Sequence, residues 1–281
     1  MNVYKDKGRS FVSIISHSGT DVKSSIFRAV DLIGGFEKSI KKGDNVLLKP
    51  NFNTADPPPG SSDPAFIRGI IELLYEHGAG HVTLGESSWS PTRITMEETG
   101  MIKVAEAAGA SVMVFDEQPY IKYSVKGSKY LKSVRLPKPT LEFEKIVYAP
   151  SIKTHRFADF SLSLKLTMGF VKRGRQRWSM HAGHLREKLA ELNLIFRPCL
   201  IVMDGRVCFT CGGPMQGPRA YPRVILASGD QIAIDVEAIK VIQQCEDTTL
   251  TKSPWSYKQI QHAVELGLGV SNQEQISVIK G

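Results

Sequence analysis

The chain has 281 residues, 42% of them hydrophobic and 23% charged, the proportions of a globular protein rather than a disordered or fibrous one. No apolar run approaches the roughly 18–20 residues of a membrane span, and residues 1–9 are charged with no apolar stretch behind them, so neither a span nor a secretory leader is expected. Lys and Arg outnumber Asp and Glu by 36 to 28, a net charge of +8, and the four cysteines (Cys199, Cys208, Cys211 and Cys245) crowd into the last third, which argues against a disulfide framework and for a cytoplasmic setting.

Residues 11–15 read as a short buried strand. Val22, Ile26, Val30 and Ile33 then recur at helical spacing until Gly34-Gly35 stops the helix. A strand over 45–48 leads into Lys49-Pro50-Asn51 and the proline-rich loop of residues 57–60. Asp63-Pro64 opens a helix, with Asp as cap and Pro in the first turn, and Ile67, Ile70, Ile71 and Leu74 form its buried face. A strand over 81–84 ends at Gly85-Glu86-Ser87. A helical stretch over 91–108 is broken near Gly100, and a strand over 111–115 follows. Residues 120–136 read as a hairpin with a Gly127-Ser128 turn, and 145–148 as a strand. Beyond it, helices are expected over 185–195, 232–243 and 255–266, and strands over 200–203, 224–227 and 276–279. This alternation predicts an α/β fold, a largely parallel sheet flanked by helices in Rossmann-like layers. The expected organisation is one domain over 1–281, with sub-lobes 1–150 and 151–281 and the site between them.

In such folds ligands bind beyond the carboxyl ends of the strands. The residues found there are polar: Lys49 and Asn51, Glu86 and Ser87, Lys153 and His155, Asp204, and Asp230. Asp63 and Asp230 serve first as helix caps, and Asp204-Gly205 is also compatible with a plain turn. Lys153 and His155, two apart in extended backbone, share a face and suit either proton transfer or an anion clamp. Lys165 is a third candidate, since a lysine beside another cation or in a dry site can act as a base. His181 and His184, three apart, could join His155 and Asp204 around a divalent metal, although no zinc-helix motif is present.

The positive charge is local. Residues 151–186 hold Lys153, Arg156, Lys165, Lys172, Arg173, Arg175, Arg177 and Arg186 against the single acid Asp159, +7 of the chain's +8. That favours an anionic ligand or a nucleic-acid backbone. Nucleic acid is disfavoured, because few aromatics interleave the charges and no nucleic-acid motif is matched. Residues 172–177, between Lys165 and His181, are expected to form a mobile cationic lid whose Arg173, Arg175 and Arg177 gather substrate. Cys208 and Cys211 form a Cys-x-x-Cys pair expected in a loop and dispensable for folding. Gly212-Gly213-Pro214 make a rigid turn whose amides could approach an anion. No dinucleotide glycine motif, Walker loop or hydrolase elbow occurs.

Together these residues resemble the family catalogued as domain of unknown function 362. The matching string runs from Gly43 to Gln243: Leu47-Leu48-Lys49-Pro50-Asn51, Gly78-Ala79, Gly85-Glu86-Ser87, Lys153-Thr154-His155, Lys165 before Gly169, His181, Asp204-Gly205, Gly212-Gly213-Pro214, and Ala227-Ser228-Gly229-Asp230 through Asp235. The resemblance implies no particular reaction. Some members carry an appended iron–sulfur ferredoxin module, and this chain has no such motif. It departs from the pattern at Leu166 (commonly Asn), Glu86 (commonly Asp) and Cys211 (commonly a small residue), which implies an altered substrate. The layout is also similar to the nickel-pincer lactate racemase family, in which His and Lys line a site between two α/β domains. The expected function is an enzyme acting on a small anionic metabolite, by proton chemistry of the isomerase, lyase or transferase kind. Lys49, Lys153 and Lys165 would hold the anion and His155 or His181 would move a proton. Asn51, Glu86, Ser87, Asp204, Gly212 and Gly213 would complete the site. A redox or metallocofactor-associated protein built on the cysteines is the alternative; the sequence sets neither cofactor nor oligomeric state.

Overall fold

A computed structural model describes residues 2–19 and 21–281. Met1, the first residue of the stretch read as lacking a leader, lies outside the described residues.

Two short N-terminal strands, β1 (Lys5–Asp6) and β2 (Arg9–Ser16), precede α1 (Val22–Leu32). Asp21 caps that helix by accepting from the Ser24 amide at 3.2 Å. A regular βαβ unit follows: β3 (Asn45–Pro50), α2 (Pro64–Glu76) and β4 (His81–Glu86). As the sequence predicts, the Asp63 carboxylate accepts from the Ala65 amide at 2.8 Å, and Pro64 occupies the first helical turn, where its missing N–H costs nothing. The next helical stretch divides into α3 (Thr92–Glu98) and α4 (Met101–Ala107) at Gly100, whose φ of +71° suits glycine. Strand β5 (Ser111–Val114) and the separate hairpin β6 (Tyr120–Ser124) with β7 (Ser133–Pro137) complete the first half.

The second half holds β8 (Lys145–Ala149), β9 (Ser151–His155), β10 (Asp159–Ser161), α5 (Ser163–Leu166), α6 (Arg175–Met180) and α7 (Leu185–Leu192). Then come β11 (Leu200–Phe209), β12 (Arg219–Ala220), β13 (Val224–Ser228), α8 (Gln231–Gln243), α9 (Lys258–Glu265) and β14 (Ile276–Lys280). Strand β11 runs six residues past the predicted end at 203. Asp204 and Cys208 therefore lie within a strand rather than in a turn or loop. Gly205 makes the close packing there possible, since a Cβ would meet the Ile152 side chain at 2.6 Å.

The main sheet runs β1-β2-β13-β11-β8-β3-β4-β5, with β14 on β2, β12 and β9 on β11, and β10 on β9. The block β11-β8-β3-β4-β5 is parallel, while β13 pairs antiparallel with both β11 and β2, so the α/β sheet is mixed but mostly parallel. Alternation along each strand feeds two cores, one on each face. Leu47, Ile146, Tyr148, Ile201 and Met203 join one, with α7, α8 and α9. Val46, Leu48, Val147, Leu200 and Val202 join the other, with α1 and α2. From β3 the chain proceeds outward to β4 and β5, then returns to β8 on the other side of β3. The two connections leave β3 and β8 in opposite directions and open a crevice at their carboxyl ends. Among the described residues, no helix is long and apolar enough to cross a membrane.

The β6–β7 hairpin is tied to the helical layer by one buried acid. Glu191, fully buried in α7, accepts from the amides of Lys129 at 2.6 Å and Leu131 at 2.6 Å, and from the Tyr130 amide and His262 Nε2. Replacing it by Ala leaves several donors buried without a partner, each costing about 1–3 kcal/mol. Glu191→Ala should therefore lower the unfolding free energy by at least about 3 kcal/mol in urea titrations, while a surface control, Glu246→Ala, leaves the midpoint unchanged.

Candidate active site

Beyond the carboxyl ends of β3 and β4, Lys49 and Glu86 form a buried ion pair. Their side chains are both 1% exposed, and Lys49 Nζ lies 2.5 Å from Glu86 Oε2. Burial pulls the lysine down and pushes the carboxyl up, while the attraction between the two opposes both shifts. The Glu86 carboxylate also accepts from the amides of Ser87 at 2.7 Å and Phe52 at 3.2 Å. Gly169 packs directly on this pair, where a Cβ would come within 2.5 Å of both Glu86 Oε1 and Lys49 Nζ.

Around the pair opens a cleft of about 680 Å3. Lys49, Asn51, Glu86, Ser87, His155, Lys165, Arg177 and His181 all border it, so eight of the residues expected to form the site do come together. Arg177, 4% exposed, donates to the Ser88 carbonyl at 2.6 Å, the Val171 carbonyl at 2.8 Å and Ser87 Oγ at 2.9 Å. Ser87 Oγ in turn donates to Asp116 at 2.7 Å. Lys165 is half-buried, and among the described residues no acceptor reaches its Nζ. Burial, with the charges of Arg177 and Lys49 beside it, lowers its pKa to about 8.

The two cleft histidines have opposite tautomers, assigned from their bonding. His155 Nδ1 accepts from the amides of Phe157 and Ala158, both at 3.2 Å, so its proton sits on Nε2. Burial, then the charges of Lys165 and Lys153, push its pKa far down and keep the ring neutral. His181 Nδ1 instead donates to the Arg177 carbonyl at 3.1 Å, leaving Nε2 as a lone pair. Burial lowers its pKa too, against the pull of that carbonyl, and Lys165 and Arg177 add to the lowering.

Other expected site residues lie elsewhere. Lys153 is buried, but its Nζ donates to the carbonyls of Pro59 at 2.8 Å and Gly60 at 2.6 Å, and so pins the proline loop. Asp204 is paired with Arg206 at 2.7 Å, and Arg206 reaches on to Asp63 at 2.8 Å; no carboxylate is left to meet a substrate. Gly213 donates its amide to Gln216 and packs against the Thr154 carbonyl, so the Gly212-Gly213 turn supports the cleft wall through Pro214 and Met215 rather than offering amides to an anion. Residues 172–177 are tied down, not a free lid. Lys172 N and the Gln176 side chain bond the Arg135 backbone at 3.0 and 2.9 Å, Arg173 faces Asp116 at 3.6 Å, and Arg177 is buried in α6. Arg175 is exposed and away from the cleft.

Among the described residues no three His, Cys, Asp or Glu side chains gather in a metal-holding group. His184 stacks on Tyr130 with centroids 4.2 Å apart, and Asp204 is committed to Arg206, so the expected divalent set does not assemble. Cys208 is buried in β11 with its sulfur 4.0 Å from Cys245, not beside Cys211.

Two features have roles that were not read from the sequence, although Asp235 itself stands in the family string. Asp235, fully buried in α8, accepts from Ser163 N at 2.8 Å, Ser163 Oγ at 2.6 Å and Leu164 N at 3.0 Å. It thereby satisfies the first amides of α5 and anchors the backbone immediately before Lys165. Its place five residues after the Asp230 cap was the available signal. The second feature is a set of aromatic side chains at the mouth: Trp89, Phe157 and Trp178.

A cationic cleft at a strand crossover of a mostly parallel α/β sheet defines the class. Within it, the chain belongs to the family described as Domain of unknown function (DUF362), whose model matches residues 46–240. A thylakoid-associated protein of Synechocystis sp. is 25% identical over 246 residues, covering 84% of this chain and 75% of that one. Among solved structures, the lactate racemase apoprotein of Thermoanaerobacterium thermosaccharolyticum superimposes with a TM-score of 0.49 at 11% identity, over 82% of this chain and 56% of that chain. A Thermotoga maritima protein gives a TM-score of 0.43 at 12% identity, over 87% and 58%. The chain thus spans a little over half the length of these two structures.

Two predictions come from this geometry. Lys49→Met leaves Glu86 buried without its partner and should cost about 3–5 kcal/mol in denaturant titrations, whereas Lys49→Met with Glu86→Gln should recover much of that loss. Lys165 should react with an amine-acylating reagent with a midpoint near pH 8, read by peptide mass spectrometry. Because the unfolded chain keeps a proton that folded Lys165 sheds between about 8 and the ordinary lysine value of 10.5, this residue's contribution to stability should rise with pH across that window.

Proposed function

We propose that this protein is an enzyme that binds a carboxylate or phosphate compound in the cleft and moves a proton on it. The observation that carries the reading is Lys165, a lysine of lowered pKa with no acceptor among the described residues, whose charge acts on two imidazoles of opposite tautomer bordering the same cleft. Five cations, Lys49, Arg156, Lys165, Arg177 and Arg186, border the cleft; Glu86 pairs with Lys49 and Asp159 with Arg186. A bound anion supplies the missing negative charge, and in this dry setting the attraction is stronger than in water.

The roles follow from the lone pairs. Lys165 as the ammonium holds the anionic group. The neutral His155 donates a hydrogen bond from Nε2–H to a substrate oxygen and stabilises charge that develops there. A histidine with a strongly lowered pKa does not act as a base, so proton abstraction falls to His181 Nε2 or to Lys165 in its neutral form. His181 becomes an imidazolium whose Nδ1–H already points at the Arg177 carbonyl. Such a set suits proton transfer beside a carbonyl, as in isomerisation or elimination. We place the activity in a reducing, cytoplasmic compartment, because four cysteines confined to the last third of the chain are a poor basis for a disulfide framework.

The reading is tested by incubating the protein in D2O with panels of 2-hydroxy, 2-keto and phosphorylated acids and following loss of C–H signals by proton NMR. Enzyme-dependent exchange is expected for at least one class, reduced about 100-fold or more by His181→Asn or Lys165→Gln. An unchanged rate in both variants, or no exchange in any class between pH 6 and 9, overturns it.

A further inference from the structure

The cleft is larger and more aromatic than a short-chain anion needs. At a water's share of about 30 Å3 per heavy atom, a six-atom carboxylate occupies roughly 180 Å3. The cleft encloses about 680 Å3, within the ~300–1,000 Å3 of sites that enclose drug-sized ligands. Its mouth is built from Trp89, Phe157 and Trp178, which are 37%, 56% and 62% exposed. Nine large apolar side chains are exposed among the described residues, and these three border one opening. They come from separate places: the loop after β4, the β9–β10 turn and α6.

The rings are also arranged. Trp89 and Trp178 meet edge to face, with centroids 4.8 Å apart and planes at 70°. His181 stands edge-on to Trp89 at 6.3 Å and to Phe157 at 6.0 Å, so the candidate base sits within the aromatic wall. The edge-to-face contact covers only one face of one indole, so flat aromatic surface remains open to solvent, and another ring could cover it. Lys165, half-buried, lines the same cleft as these exposed rings.

We propose that the ligand is a planar aromatic or heteroaromatic ring carrying a carboxylate or phosphate, with its anion on Lys165 and its ring against Trp178, Trp89 and Phe157. This rests on the assignment of Lys165 as the anion site made above, and it adds the body of the substrate to the head. The side chains at the mouth are exposed, so their removal leaves the fold intact.

Isothermal titration with acetate, inorganic phosphate, octanoate, 2-naphthoate and adenosine monophosphate separates the contributions. At least one ringed anion should bind about tenfold or more tighter than acetate, phosphate and octanoate. Trp178→Ala, and independently Trp89→Ala, should remove most of that gain and leave phosphate affinity unchanged. Lys165→Gln should weaken every anion. Tight binding of naphthoate alone points to an aromatic acid, and of adenosine monophosphate alone to a nucleotide. The proposal is overturned if octanoate matches the ringed anions, if no ringed anion binds, or if both tryptophan variants bind them as well as the parent. If in those cases Lys165→Gln still weakens phosphate, the anion site stands and only the ring assignment falls. If Lys165→Gln changes nothing, the reading of the cleft floor falls with it.

Discussion

The Lys49–Glu86 pair is the constraint around which the cleft is organised. Two charges taken almost wholly out of water must be matched at close range, or the fold bears an uncompensated ion. Meeting that condition brings together three stretches of chain. The carboxylate holds the amides of Phe52 and Ser87, which fixes the loops that leave β3 and β4. The lysine and the acid together demand a bare backbone at Gly169, which fixes the segment that follows α5. The first two segments carry Asn51 and Ser87, and the third adjoins the helix that carries Lys165. The pair therefore does for the cleft what a hydrophobic contact could not, because it is directional and accepts only one seating of its neighbours.

The electrostatics of the remaining cleft follow from this arrangement. Glu86 is committed to Lys49, so Arg177 and Lys165 face the cleft with no carboxylate of their own at salt-bridge distance. Arg177 is satisfied by carbonyls and a hydroxyl and keeps its charge. Lys165 is not satisfied in this way, and its proton is correspondingly loose. Burial, helped by the nearby cations, lowers both imidazoles, and the protein backbone sets which nitrogen carries the proton of each neutral ring. Asp235 acts at one remove, holding the first turn of α5 so that Lys165 cannot swing away.

Much of this was legible in the sequence. The βαβ rhythm, the Asp63 and Asp230 caps and the break at Gly100 are local signals, and they appear where the sequence places them. Polar residues after β3 and β4 marked the cleft because strand ends are where such folds bind ligands. Within residues 151–183 only the extended backbone at Lys153 and His155 was read, as β9; β10, α5 and α6 span three to six residues in succession and show no sustained period. Nor does sequence reveal which of several lysines finds an acceptor. Lys153 and Lys165 looked alike, and only the proline loop, nearly a hundred residues upstream, separates them. Asp204 could have been read better, since Arg206 lies two residues on in extended backbone and therefore on the same face. The aromatic mouth was invisible because its members lie far apart in the chain.

The location of those aromatic residues has a consequence for how this architecture can diversify. The charged floor is bound into the sheet, and a change there disturbs stability along with chemistry. Trp89, Phe157 and Trp178 stand on a loop, a turn and a short surface helix, and they share few obligations with the core. On the proposed reading, the aromatic preference is carried largely apart from the charged floor, with His181 where the two meet. Related chains could keep one chemistry and redirect it by exchanging a few rings at the entrance, and a combinatorial library confined to those positions would explore new specificities while leaving the machinery beneath them untouched.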